Sequence, residues 1–461
     1  MPPNMNHPPN LLSLPNELLA EICAQTEGSE WPEISTHPLE FLRLTCKHLY
    51  VPATKELAKR FFTKPCVMVN TYSLQALVDI CAHPIIGPYV HGVTLDAFRL
   101  GPDTYRQIQD KLKTSITNGD IKSMKQQENE LQGFWEALEE DAILDDGGLA
   151  VNLLTKALRC IKARHGAVFL AVTSMNSPIG GGKGLGKLPN DRNTTWQNED
   201  TMLRPMSALR MLVDAAKHSG CQVIDFMFQV TADEIVELES NISIAIAKAG
   251  DVFAGLKSLC IELESVCAER ITTDLARILP LAKSISSLEL STTIYMNGDC
   301  IAFASKTSKH IGKLLHPISS DALRQVKLAM LVCEQEDVRR FLERHKSTIK
   351  ELSFLDVVII GAWDELLEWI GVNMHLEKFE IETRGTLDAL DANDDSNINP
   401  LTFGSIHEVL QGEEQVRLGL GEIVQKKRSA DGKRLHDEEA GETEETEEIE
   451  EVEEVEDETP V

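Results

Sequence analysis

The sequence predicts an α/β chain, helical at its N-terminus, with strands and helices alternating through its body and a charged C-terminal tail. Three observations predict it. Apolar residues recur at helical spacing in two short early stretches, Leu14, Leu18, Leu19 and Ile22, then Leu39, Leu42, Cys46 and Leu49. The template apolar-x-x-apolar-x-apolar then occurs at Val223/Phe226/Phe228, Leu256/Leu259/Ile261, Ile285/Leu288/Leu290, Leu323/Val326/Leu328, Ile349/Leu352/Phe354 and Leu376/Phe379/Ile381. Its starts lie 33, 29, 38, 26 and 27 residues apart, with helix-length stretches between them. Finally, Asp437–Glu458 holds fifteen acids and no base.

Size and charge bound the answer. At 461 residues the chain exceeds one compact core, so several domains or an elongated repeat array are expected. Lys and Arg number 45 against 73 Asp and Glu, a net charge of 45 − 73 = −28. Much of the excess sits in the tail, which leaves the body moderately acidic. General nucleic-acid binding needs a basic footprint and is not expected. The ten cysteines are scattered, with no Cys-x-x-Cys pair. They read as small buried apolar residues in a reducing compartment. The opening MPPNMNHPPN has neither a basic nor an apolar signal region, and no apolar run reaches the length a bilayer requires. The expectation is a soluble, intracellular protein, cytoplasmic or nuclear, with residues 1–10 disordered.

In the N-terminal stretch, Pro15 suits the first turn of a helix, where its fixed φ helps and its missing N–H is not needed. Glu17 follows where a negative charge suits the helix dipole. The second stretch runs from Leu39 past Pro52 to Leu57, Phe61 and Phe62. These helices are too short to stand alone and must bury their stripes.

Leu14-Pro15-x-Glu17-Leu18-Leu19, followed by Thr45-Cys46-Lys47-His48-Leu49, resembles the F-box over Leu11–Phe62. The connecting EGSEWPEISTHP is longer than usual for that family. The following KPCVMVNTYSLQALVDICAHPIIGPYVHGVTL is similar to the corresponding part of many fungal F-box proteins. The resemblance implies a substrate receptor of a SKP–cullin–F-box ubiquitin ligase. It places adaptor binding on Leu14, Pro15, Leu18, Leu19, Ile22, Leu42 and Cys46. The alternative is a plain helical hairpin inside a core.

Further on, Cys66–Asn70 and Val90–Leu95 read as short strands and Ser73–Ala82 as a helix. Thr104–His165 turns helical, with apolar faces Tyr105/Ile108/Leu112/Ile116, Leu131/Phe134/Trp135/Leu138 and Leu153/Leu154/Ala157/Leu158/Ile161. Val168–Val172 is a buried strand. Gly181-x-x-x-x-Gly186-Lys187 has the skeleton of a phosphate-binding loop. Leu188 stands where a magnesium-binding hydroxyl belongs, and Pro189 opposes an immediate helix, so a Gly-rich surface loop is expected.

Helices are expected between the repeated strands, at Ala232–Ala249, Ile271–Ala282, Cys300–Leu315, Glu334–His345 and Ala362–Val372. The alternation resembles irregular leucine-rich repeats, a curved parallel sheet backed by helices. The asparagine usual after the strand is replaced by Glu264, Thr293, Leu331, Val357 and Arg384, so no Asn ladder is expected. The alternative is an ordinary α/β domain. Period 2 points Leu259, Ile261, Leu288, Leu290, Leu352 and Phe354 inward. It leaves Glu262, Glu289, Lys327, Glu351 and Glu380 on an open face. In the resembled family that face, or its rim, takes the substrate.

Other chemistry finds little support. Asp391–Asn397 alternates oxygen ligands like a calcium loop, but Ser396 and Thr402 stand where glycine and a bidentate glutamate belong. The histidines are isolated, and no nucleophile elbow or His-Glu-x-x-His motif occurs. No catalysis, cofactor or metal is expected. Lys426–Arg428 and Lys433–Arg434 precede the acidic tail and read either as a nuclear import signal or as a solvated linker.

The expected organisation is a disordered 1–10, an F-box at 11–62, a helix-rich region with the first strands at 63–220, a leucine-rich-repeat-like domain at 221–410 and a disordered basic-then-acidic tail at 411–461. The expected function is substrate recognition in a ubiquitin ligase, through a SKP adaptor and its cullin on one side and a target protein on the other. The alternative is a non-catalytic repeat scaffold outside the ubiquitin system.

Overall fold

The computed structural model describes residues 14–26, 38–100, 102–146, 148–174, 179, 201–230, 250–264, 272, 275–293, 313–383, 406–426 and 429. It is a mixed α/β protein dominated by parallel strands, and the chain divides into two compact units, Met1–Ile294 with Pro317–Ala322, and Tyr295–His316 with Leu323–Val461.

The first unit opens with α1 (Asn16–Ala24), α2 (Pro38–Thr45) and α3 (Lys47–Phe61). α1 and α2 both pack on α3, burying Cys23, Leu39, Ala53 and Leu57 in a small core of their own. Pro52 lies inside α3, beyond its first turn, and withholds the amide that would bond the His48 carbonyl, yet the helix continues to Phe61.

The parallel sheet follows. Its strands are β1 (Cys66–Met68), β2 (Gly92–Asp96), β4 (Ala167–Thr173), β6 (Gln222–Val230), β7 (Ser258–Glu264) and β8 (Ser287–Thr293). Each pairs in parallel with the next in that order. A short antiparallel pair, β3 (Phe98–Leu100) with β5 (Thr201–Leu203), branches from the strand ends. The order never reverses. Right-handed crossovers therefore put the helix that leads into each next strand on the same face. The helices obey this: α4 (Thr71–Ala82) packs on α7 (Leu149–His165), α7 on α8 (Pro205–Ser219), and α8 on α9 (Gly250–Phe253). Asn70 caps α4 by accepting from the Ser73 amide at 2.7 Å.

Between β3 and α7 the chain inserts α5 (Pro102–Asn118) and α6 (Ile121–Asp146). They pack on each other, and Ile108 and Phe134 join Met68 of β1 in a separate cluster. Met68 pairs with Asp96, one position on from Val67, so this hairpin covers the opposite side of the sheet from α4 and α7.

The second unit repeats a tighter pattern. β9 (Gln325–Ala329), β11 (Glu351–Leu355) and β13 (Lys378–Thr383) are parallel neighbours, and β14 (Ile406–Gln411) closes on β13 antiparallel. A second short parallel pair, β10 (Val332–Glu334) with β12 (Val358–Ile360), precedes α10 (Gln335–His345) and α11 (Trp363–Asn373). Met330 and Asp356 stand at the same point of successive units and both take φ of 51°. Their amides donate at 2.7 Å to the carbonyls of Leu355 and Glu382 on the next strands, so the left-handed turn serves the strand pairing.

The strand template is borne out residue by residue. Leu259, Ile261, Leu288, Leu290, Val326, Leu352, Phe354 and Phe379 are buried, while Glu262, Glu289, Lys327, Glu351 and Glu380 on the alternate positions stay half-exposed. The first apolar residue of the last five templates, Leu256, Ile285, Leu323, Ile349 and Leu376, is buried just before its strand begins.

Several expectations are corrected. The boundary at residue 221 falls inside one sheet, because β4 pairs directly with β6 and carries β2 and β1 on its other edge. The region 411–461 does not begin disordered: residues 413–426 form a helix, α12, that buries Val416, Leu420, Ile423 and Val424. Its Gly419 lies so close to Leu410 that an added Cβ would stand 2.5 Å from that side chain. Ile116 and Trp135 are exposed rather than on buried helix faces. The N-terminal 1–10, the Gly181–Lys187 loop, the helix at Ala232–Ala249, most of Cys300–Leu315, the Asp391–Asn397 loop and the acidic tail lie outside the described residues.

Two outcomes follow for denaturant unfolding. Leu288→Ala or Leu352→Ala costs ~2–5 kcal/mol, whereas Glu289→Gln or Lys327→Gln stays within about 0.5 kcal/mol. Met330→Gly relieves the left-handed strain and stabilises the second unit by up to about 1 kcal/mol; a loss on that substitution would contradict the turn geometry.

Candidate docking surfaces

The N-terminal helices bury one side and expose the other. Leu19 is buried at 1 %, so this residue, expected to bind an adaptor, instead holds the hairpin together. Leu42 packs against the hairpin core and is half-buried, as are Leu14 and Cys46. Pro15 is exposed. Leu18, Ile22, Phe41, Leu44 and Val51 are between 40 and 76 % exposed. Phe41, Leu44 and Val51 were not among the expected residues. Their signal was present in the sequence, as apolar residues left over once Leu39, Leu42 and Leu49 take the inward positions.

One ionic assembly locks the hairpin. The Arg60 guanidinium donates to the carbonyls of Thr26 at 2.8 Å and Ala24 at 2.6 Å, satisfying acceptors at the end of α1. Its Nε meets Glu56 at 3.0 Å, and Lys59 approaches the other carboxylate oxygen at 3.3 Å. Partial burial pushes the Glu56 carboxyl up, but hydrogen bonds from Arg60 and Lys59 outweigh it and hold the group below its ordinary value.

The side of the first sheet opposite α4, α7 and α8 carries a polar row in which Asp96, Thr173 and Ser291 are buried and Gln229 and Glu262 half-buried. Strand register aligns Asp96, Thr173, Gln229, Glu262 and Ser291 across five neighbouring strands. Thr173 Oγ1 donates to Gln229 Oε1 at 3.4 Å, and Gln229 Nε2 donates to Glu262 Oε2 at 2.9 Å. Glu289 lies one row away, opposite Cys260.

In the second unit, Lys327, Ser353 and Glu380 share one row, and Glu351 sits between Gln325 and Lys378 in another. Glu380 accepts from Lys378 and from Ser353, each at 3.1 Å. These bonds outweigh its desolvation and keep it below the ordinary carboxylate range. The five expected open-face residues thus fall in different units, Glu262 and Glu289 in one and the other three in the second.

A surface depression of about 600 Å³ is lined by His316, Glu336, Arg339, Arg340, Glu343 and Arg344. Arg344 is committed to the carbonyls of Leu315 and His316, Arg340 to Glu336, and His316 to Asp337. Burial pushes the Cys81 and Cys333 thiols up to about 12, which keeps them protonated and poor nucleophiles at neutral pH. Among the described residues no group of three His, Cys, Asp or Glu side chains is placed to hold a metal ion, and no helix is long and apolar enough to cross a membrane.

Comparison with protein-family models and with curated proteins finds no match for this chain.

The Glu56 assembly predicts a pH response. An unfolded glutamate titrates at about 4.3. Because the folded value is lower, the stability that wild type holds over Glu56→Gln is present above that pH and fades as pH falls through the folded value. Melting curves of both proteins from neutral pH down to acid check it; a gap that widened on acidification would contradict the assignment.

Proposed function

We propose that the chain is a non-catalytic substrate receptor of a SKP–cullin–F-box ubiquitin ligase. The helices α1–α3 act as an F-box that docks a SKP adaptor and, through it, a cullin. The parallel-strand body acts as irregular leucine-rich repeats that hold a target protein. The chemistry belongs to a ubiquitin-charged enzyme elsewhere in the assembly, and this chain contributes proximity.

The observation that carries the reading is the surplus of apolar surface on a hairpin whose own core is complete. Leu18, Ile22, Phe41, Leu44 and Val51 remain in water after Cys23, Leu39, Ala53 and Leu57 are buried. Exposed apolar surface of this extent on so small an element marks an interface. The parallel strand order within each unit and the helices that pack side by side between successive described strands support the repeat reading.

Co-purification with a SKP adaptor tests it. Leu14→Ala with Pro15→Ala, and separately Leu18→Glu with Phe41→Glu, should each reduce adaptor recovery at least about tenfold. The melting temperature of the body should stay unchanged. Undiminished recovery by both variants would leave the hairpin as structure only and the chain as a repeat scaffold outside the ubiquitin system.

A further inference from the structure

The inserted helix α6 carries another exposed surface that shares no residue with α1–α3. Gln132, Trp135, Glu136, Glu139, Ala142 and Ile143 recur along one stripe of the helix, and every one of them is exposed. The opposite side is filled: Leu131, Phe134 and Leu138 pack with Tyr105, Ile108 and Met68. Trp135 nevertheless leaves 53 % of its surface in water, and Ile143 leaves 55 %.

Trp135 is not loosely held. Its ring meets Tyr105 edge-on at 5.4 Å and Phe134 edge-on at 5.8 Å. Such contacts restrict the side chain before any partner arrives, so less ordering entropy is lost on binding. The helix itself is tied down at its start and again within the stripe's length. Asp120 caps its start by accepting from the Ser123 amide at 3.1 Å, and Glu140 accepts from the Thr71 amide at 2.7 Å.

Charge decides what the stripe accepts. Glu136 and Glu139 flank Trp135, and Gln132 donates to Glu136 at 2.8 Å. From Gln132 to Asp146 the sequence holds no Lys or Arg. A tryptophan face bordered by carboxylates favours a cation, which gains from the ring quadrupole and from ion pairing together. Trp135 and Ile143 lie about 12 Å apart along the helix, the reach of a short peptide segment.

We propose that the α6 stripe docks a cationic segment of a partner protein. An arginine or lysine of that segment stacks on Trp135 and pairs with Glu136 or Glu139, and an apolar side chain of the same segment covers Ile143. The proposal does not rest on adaptor binding, and Leu18→Glu with Phe41→Glu should leave it untouched.

The probe is a fluorescein-labelled Arg/Leu peptide of about 16 residues, patterned as an amphipathic helix, with a Glu/Leu peptide of the same pattern as control. Anisotropy with the full chain is read at about 0.1 M salt. The Arg/Leu peptide should bind and the Glu/Leu peptide should not. Trp135→Ala, and Glu136→Lys with Glu139→Lys, should each weaken binding at least about tenfold. Trp135→Phe should retain part of it. Changing Glu444, Glu445, Glu447 and Glu448 to Gln removes as much negative charge from the tail and should have little effect. Circular dichroism confirms that each variant is folded, and the exposed glutamate pair keeps the test valid if Trp135→Ala is not. Three results would overturn the proposal: no binding of the Arg/Leu peptide, equal binding by wild type and both α6 variants, or an equal loss on changing the tail. Trp135-dependent self-association in sedimentation without peptide would assign the stripe to a second copy of the chain and overturn it as well.

Discussion

The structure depends on one constraint: each parallel strand has an apolar row that must be covered by a helix supplied by its own connection. Parallel neighbours cannot be joined by a tight turn, so a long crossover is obligatory. A crossover of fixed hand can lie on only one side when the strand order never reverses. Among the described residues of the first unit, α4, α7, α8 and α9 form a helix layer on one side of the sheet, while α5–α6 of the β2-to-β4 connection pack on the other. The second unit meets the same constraint with shorter connections, and its left-handed residues Met330 and Asp356 return the chain within a 26-residue interval between Val326 and Leu352.

That asymmetry governs where function can reside. Residues under the helix layer are apolar and buried, and their role is packing. Residues on the other side include a polar row, buried at Asp96, Thr173 and Ser291 and half-buried at Gln229 and Glu262, whose spacing is set by strand register rather than by neighbours in sequence. Thr173, Gln229 and Glu262 lie far apart in the chain yet form consecutive hydrogen bonds because three strands are in register. At the β1 end the insertion α5–α6 covers this side through Met68.

The N-terminal helices follow a different logic. Their core is small, and Arg60 supplements it by binding backbone carbonyls at the end of α1 and the Glu56 carboxylate together. Such a hairpin cannot bury every apolar residue it carries. The residues left outside are therefore the ones with a claim to a partner, and Leu19, which the motif alone ranks with its neighbours, is not among them.

The sequence by itself determined the positions and inward faces of the repeated strands, the helices at Thr71–Ala82, Leu149–His165, Gln335–His345 and Trp363–Asn373, and the existence of the N-terminal hairpin. These depend on periodicity, a local property that survives without knowledge of the fold. Only the tertiary structure decided that β1, β2 and β4 belong to the sheet of β6, since pairing is made by backbone amides that every residue carries alike. It also decided that Val416, Leu420, Ile423 and Val424 make a buried helix stripe, although the polar residues between them dilute the local apolar density. Trp135 shows the same limit. Its spacing fits the Phe134 face, but the space beside Tyr105, Ile108 and Met68 is filled by Phe134, and the larger ring is left at the rim in water.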